Sequence, residues 1–324
     1  NLVKIPSCSG SEGEIGGYIA RRLKKNFKVQ LQKVGNRFNI FAYIGNPKII
    51  LTSHLDTIPK QLEIKEDKDY IYGRGACDAK ASLASMICAA EELAKIGISD
   101  FGLLFDVSEE TDFSGIKKAL DLVNPDFVIV GEPTNFKTVI GQKGLLGIKI
   151  KCYGKSAPGS TPEKGDSAII KLIRILNLLQ TPEKTSMNIG KISGGSAANV
   201  VPDYAEAIVE FRTLRKNNEV VEILRKQGIE FEIVYNFDPV FPNNLNLIKN
   251  LKSETEIVPY FTEMYFWAKK ASTFVFGPGE YEYAHSDNER IRKEDLEKAA
   301  LKYMKIITYI KKENLIKSRK EVED

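Results

Sequence analysis

Histidine is nearly absent from this 324-residue chain: it occurs twice, as His54 and His285. Cysteine, methionine and tryptophan are scarce as well, at four, four and one. The cysteines (Cys8, Cys77, Cys88 and Cys152) show no C-x-x-C spacing and no pairing pattern. That excludes a disulfide framework and predicts reduced thiols in a cytoplasmic protein. No run of eighteen uncharged apolar residues occurs; the best candidate, "AIIKLIRILNLL", is broken by Lys171 and Arg174, so no membrane span or membrane partner is expected. An excess of one charge is missing too. Forty-seven basic side chains against 43 acidic ones leave +4, too weak a field to gather nucleic acid. The chain opens on Asn1 with no charged segment leading into an apolar one. No secretory signal is therefore expected within it, and room is left for residues upstream.

What is present is an ordinary globular composition, 43% hydrophobic and 28% charged, in a chain too long for one core. Two domains are expected: one from residues 1–143 and 242–324, and an insert at 144–241. In the first segment, "EGEIGGYIARRLKK" sets Ile15, Ile19 and Leu23 at helical spacing. "KASLASMICAAEELAKIG" does the same with Leu83, Met86, Ile87, Ala90 and Leu93, stopped by Gly97. "KIILTS", "FGLLFDV" and "DFVIV" read as buried strands, and "SGIKKALDLV" as a helix capped by Ser114. This alternation predicts a mostly parallel sheet covered on both faces.

The insert reads strand ("LLGIKIKCYG"), helix ("DSAIIKLIRILNLLQ", capped by Asp166), two strands ("MNIGKISGG" and "YAEAIVEFRTL"), helix ("NEVVEILRKQ") and strand ("IEFEIVY"). That βαββαβ order is the pattern of a ferredoxin-like unit. "DPVFPNN" marks its exit. A helix, the strand "STFVFG" and a long terminal helix from about Asp295 are expected beyond it.

The chemistry lies at strand ends. "IILTS" leads to His54 and Asp56, "LLFDVS" to Glu109 and Glu110, "FVIVG" to Glu132, and "TFVFGPG" to His285 after a short loop. Asp78, in "GRGACDAK", stands where a glycine-rich loop becomes a helix. Any one such acid is ordinarily a solvated loop residue or a helix cap. Together, two histidines and several carboxylates at the carboxyl ends of parallel strands point to one crevice and a two-metal site of nitrogen and oxygen ligands. Cys77 is read as structural, since a thiolate would displace an oxygen ligand. Dinucleotide binding through "GRGACD" is not supported, because Asp78 stands where the third glycine belongs.

"SHLDT", "GRGACDAK", "SEE", "GEPT" and "AHSDNE", in that order, resemble the M20 family of dinuclear zinc peptidases and deacylases. Within that family the chain most resembles the group of acetylornithine deacetylase, succinyl-diaminopimelate desuccinylase and acetyl-lysine deacetylase, enzymes of amino-acid biosynthesis. The resemblance implies a zinc-peptidase-like catalytic domain with an inserted ferredoxin-like lid that can pair two copies of the chain. It implies two divalent ions, Zn²⁺ with Co²⁺ as an alternative, one held by His54, Asp78 and Glu132 and the other by Asp78, Glu110 and His285. Glu109 would be the general base, and Asp56 would orient His54, as an i+2 carboxylate also would on physical grounds.

For the substrate carboxylate the resemblance implies Asn199 and Arg212, which otherwise read as a turn residue and a strand-surface residue. For a loop on the substrate side it implies Gly277 and Gly279. The implied reaction removes an N-acyl group from an amino acid, with a dipeptidase or aminoacylase as alternatives. Two positions depart from the family pattern. Ser53 replaces a glycine. Pro158 stands where a lid histidine commonly supports the oxyanion, so Asn199, Ser156 or Ser160 must substitute, or the chain is a catalytically impaired metal-binding homologue.

Overall fold

The computed structural model describes residues 1–241 and 254–323. Contacts divide the chain into two compact units, one built on Asn1–Ile140 and the C-terminal residues from Thr262, the other on Gly141–Phe241 with Ile257–Phe261.

In the first unit, helix α1 (Gly13–Leu23) buries Ile15, Ile19 and Leu23 completely, as their four-residue spacing predicts. Burying a side chain of that size contributes about 2 kcal/mol. Strands β1 (Lys28–Val34), β2 (Arg37–Ile44) and β3 (Ile49–His54) follow, then two short strands, β4 (Lys65–Glu66) and β5 (Tyr70–Tyr72). Helix α2 (Lys80–Lys95) buries Leu83, Met86, Ile87, Ala90 and Leu93, and the chain turns away at Gly97 with φ +79°. Strand β6 (Phe101–Asp106), helix α3 (Ser114–Ala119) and strands β7 (Phe127–Val130) and β8 (Thr138–Gln142) complete this stretch.

The second unit runs β9 (Gly144–Tyr153), α4 (Ala168–Leu178), β10 (Ser186–Gly194), β11 (Tyr204–Thr213), α5 (Asn217–Lys226) and β12 (Glu232–Phe237). Its sheet has the order β10-β11-β9-β12 with every neighbouring pair antiparallel, the ferredoxin-like arrangement. Strand β11 alternates buried and partly exposed residues, and its inward side joins Ile148, Ile150, Leu172, Val220 and Leu224 in one core.

The expected helix after "DPVFPNN" falls largely on residues 242–253, outside the described residues. The chain then forms β13 (Thr255–Val258), a single helical turn α6 (Met264–Trp267), β14 (Ser272–Val275), β15 (Arg290–Arg292) and α7 (Lys293–Glu323).

The large sheet has the order β1-β2-β6-β3-β7-β14-β8-β13. Its centre, β6-β3-β7-β14, is parallel, while β1, β2 and β8 join antiparallel at the flanks. The central strands are buried on both faces, as the runs "IILTS", "FGLLFD" and "FVIV" predict. From β3 the chain crosses first to β6 on one side and then to β7 on the other. The strand order thus reverses at β3, and a crevice opens beyond its carboxyl end.

Two predicted caps are corrected. Ser114 does not cap α3: the cap position is Phe113, and the amide of Ser114 donates instead to Asp112 Oδ1 at 2.9 Å. Asp166 does not cap α4 either. Ser167 does, its hydroxyl accepting from the Ile170 amide at 3.3 Å, while Asp166 pairs with Lys171.

Candidate metal centre

His54 is the last residue of β3, at the point where the strand order reverses, and its ring is fully buried. Nδ1 lies 2.9 Å from the carbonyl oxygen of Asp56, which keeps a proton on Nδ1 and turns Nε2 towards the crevice. There Nε2 lies 3.0 Å from Asp78 Oδ1 and 3.8 Å from Glu132 Oε2. His285 reaches the same carboxylate from the loop after β14, with Nε2 3.3 Å from Asp78 Oδ2 and 2.8 Å from Glu110 Oε1.

Asp78 does not cap α2, whose cap position is Ala79 with no side-chain cap bond. Its carboxylate is committed to the two imidazoles instead. The ligand atoms of His54, Asp78 and Glu132 all lie within 4.8 Å of one another, as do those of Asp78, Glu110 and His285. A third such group joins His54, Glu109 and Glu110. Asp78 belongs to two of these groups and so stands between them.

The electrostatics suit cations. Burial pushes Glu132 up to about 8 and Glu109 well above the ordinary carboxylate range, with neighbouring carboxylates adding to the effect on both. Burial, then the charge of Asp78, also raises Glu110. For Asp78, burial acts upward, but the bonds to His285 and His54 outweigh it and hold the carboxyl far below its usual range. Burial opposes a charge on His54, yet Asp56, Asp78 and Glu132 more than offset it, and its pKa lies well above the usual value. Hydrogen bonds to Asp78 and Glu110 lift His285 to about 10. So many carboxyl groups, packed around imidazole nitrogens in low dielectric, form a donor set that divalent ions would stabilise. The residues present fit two such ions.

Asp56 meets His54 Nδ1 with its backbone carbonyl at 2.9 Å and with a carboxylate oxygen at 3.6 Å. The buried carboxylate also accepts from the backbone amides of Glu109 and Glu110, each at 3.1 Å, and from the Ser9 hydroxyl at 2.6 Å. It positions the Glu109–Glu110 turn.

Gly277 and Gly279 have packing reasons within this unit. A Cβ at Gly277 would come within 2.4 Å of the Glu132 carbonyl oxygen. Gly279, at φ +94°, would place one 2.7 Å from Cys77 Sγ. Both let the loop after β14 lie against segments that carry ligands. Cys77 itself is buried, its thiol pushed up by burial and aimed at the Glu280 carbonyl, as a structural residue requires.

Asn199 and Arg212 lie on the second unit. Asn199 is exposed, and its carbonyl accepts from the Gly159 amide at 2.6 Å, which sets it beside Pro158. Arg212 bonds Glu210 through Nε at 2.8 Å, while its Nη1 is buried without a partner.

Reading the sequence for ligands missed the groups that hold them. Glu289 and Arg74 form a buried pair at 2.6 Å next to Asp78, although both lie inside motifs that stand out, "AHSDNE" and "GRGACDAK". Asp106 and Glu263, buried behind the site, had no such signal.

Residues 50–309 match the model of peptidase family M20/M25/M40. A Peptidase M20 domain-containing protein of Schizosaccharomyces pombe is 32% identical over 336 residues, covering 95% of this chain and 83% of that one. A probable carboxypeptidase of Aspergillus oryzae is 33% identical, covering 94% and 88%. A tripeptidase from Staphylococcus aureus superposes with a TM-score of 0.80 at 25% identity, over 94% of this chain and 95% of that one.

Proposed function

The chain belongs to peptidase family M20/M25/M40, a family of hydrolases, and from that premise we propose that it cleaves the amide bond of small N-acyl amino acids. The closest chemistry is that of acetylornithine or acetyl-lysine deacetylation. The observation that carries this reading is the meeting of His54, His285 and Glu110 on Asp78, with Glu132 and Glu109 alongside. His54, Asp78 and Glu132 would hold one divalent ion and Asp78, Glu110 and His285 a second, with Zn²⁺ favoured by the mixed nitrogen and oxygen donors and Co²⁺ able to replace it. When bound, such ions supply Lewis acidity and lower the pKa of water towards neutrality.

The remaining steps belong to the chain. Glu109, held by its own amide on Asp56, is free at its carboxylate to take a proton from the attacking water. It then passes that proton to the departing amine nitrogen. Its raised affinity for protons, caused chiefly by burial, suits both halves of that transfer. On the second unit, the unpartnered Arg212 Nη1 would meet a substrate carboxylate, with Asn199 as a further donor. Asn199, seated beside Pro158, would also supply the oxyanion donor that a histidine at 158 would otherwise provide. This unit would act as a lid.

A carboxypeptidase or dipeptidase is the second reading, favoured by the name of the Aspergillus oryzae relative. Both readings need a free carboxylate on the amine side of the cleaved bond. A panel of N-acetyl amino acids, dipeptides and C-terminally amidated dipeptides, assayed with Zn²⁺ and Co²⁺, separates them. Cleavage of the amidated compounds would refute both. No cleavage by protein carrying two metals would make this a metal-binding homologue.

We further assign a homodimer to the edge strand β10. Met187, Ile189 and Ile192 are exposed there, opposite the buried Phe211, Val209 and Ala207, so they extend the core's own apolar face into solvent. A second copy would cover that edge. The four cysteines are free, and no described helix is long and apolar enough to cross a membrane. A cytoplasmic location is the reading we favour.

A further inference from the structure

The two-metal reading names the ligands but not what aims the carboxylate between them. Glu289 is only 1% exposed and sits immediately before β15. Its Oε1 accepts from two consecutive backbone amides, Cys77 at 3.1 Å and Asp78 at 3.0 Å. Its Oε2 takes Arg74 Nη1 at 2.6 Å, and Arg74 Nε donates to the Lys60 carbonyl at 2.7 Å. The carbonyl of Glu289 accepts from the Gly73 amide at 3.1 Å, and β15 pairs with β5 in register, Arg290 opposite Tyr72. One buried carboxylate thus ties three segments together at the residue that meets both histidines.

The amides of Cys77 and Asp78 precede α2, which has no side-chain cap of its own. Without Glu289 they would have no acceptor, and the peptide bearing Asp78 would be free to rotate. Rotation there would carry Oδ1 away from His54 and Oδ2 away from His285.

We propose that Glu289, oriented by Arg74, is a positioning residue that holds the Asp78 carboxylate between the two metal positions. The inference rests on the two-metal reading. It makes Glu289 the counterpart of Asp56, which holds the Glu109–Glu110 turn through two consecutive amides, one on each carboxylate oxygen. The charge on Glu289 is what a neutral isostere would lose. Its reach is what a shorter acid would lose.

The test uses the full chain with metal content as the primary readout. Wild type, Glu289→Gln and Glu289→Asp are loaded with Zn²⁺, dialysed, and titrated with a chelator. Thermal melting of the metal-free forms is followed alongside. Both variants should release metal at about tenfold lower chelator concentration than wild type. Their kcat should fall by about tenfold or more with KM little changed, and Glu289→Asp, which keeps the charge, should suffer less. Arg74→Lys loses the fork that orients Glu289 and should release metal at several-fold lower chelator concentration than wild type; it also serves if the Glu289 variants do not fold. Variants that melt lower but hold metal as wild type does would overturn the inference and leave Glu289 a folding residue. So would an Arg74→Lys protein that holds metal as wild type does. Wild type that binds no metal would instead defeat the two-metal reading itself.

Discussion

His54 and His285 share one carboxylate: their Nε2 atoms lie 3.0 Å and 3.3 Å from opposite oxygens of Asp78. One ring ends a central strand and is buried, and the other sits half-exposed in a loop, at φ +59°. A shared acid between a rigid and an accessible imidazole would make the two proposed metal positions unlike. His285→Ala should therefore lower metal content towards one ion per chain, whereas His54→Ala should lose both. Elemental analysis after dialysis distinguishes these outcomes, and equal losses would contradict the unequal roles.

Glu109→Gln removes the proposed proton carrier without touching the ligand sets that meet on Asp78. The variant should keep its metals and lose about 10²–10⁴ in kcat. Steady-state rates measured beside metal content decide it. Activity within about tenfold of wild type would move the base elsewhere.

Arg212→Lys keeps the charge and loses the planar fork. A charged hydrogen bond of this kind is worth about 1.5–3 kcal/mol, so KM for a carboxylate substrate should rise roughly ten- to hundredfold while kcat changes less. Analogues with the carboxylate replaced by an amide, tested as competitive inhibitors, should show no such difference between the two proteins.

The buried pair behind the site should set a pH dependence that needs no metal. Neither Asp106 oxygen meets a donor while both acids are ionised; burial first, and then Glu263, raise the Asp106 pKa well above its usual value. A carboxyl raised in the folded state stabilises it fully only below the unfolded pKa, near about 4. That contribution is lost as pH rises from there through the folded pKa. Metal-free wild type should therefore lose Tm more steeply than Asp106→Asn, which cannot ionise, as pH rises from about 4. Parallel curves would mean that the pair does not titrate in this range.

If β10 pairs two copies, Ile189→Lys should convert a dimer to a monomer at unchanged fold. Light scattering reads the mass and circular dichroism the fold. A wild-type monomer at micromolar concentration would remove the dimer from the account.

Much of this was legible in the sequence because burial imposes periodicity. Ile15, Ile19 and Leu23 had to line one helix face, and "IILTS" and "FVIV" had to be covered on both sides. The scarcity of histidine made His54 and His285 stand out before any coordinates did. The caps were less legible, since Ser167 and Asp166 are both good candidates and only backbone geometry chooses between neighbours.

The sequence by itself determined the buried central strands and the helices α1 and α2, the βαββαβ insert and the residues offered to a cation at strand ends, but not the flanking strands β1, β2, β8 and β13. Tertiary structure alone decided which carboxylates gather as candidate ligands and which hold backbone. Asp56 and Glu289 look like any other acids in their motifs, yet each is buried against two consecutive amides. That division depends on where amide protons point after the chain has crossed the sheet, and hydrogen-bond direction at such range is not written in residue type or spacing.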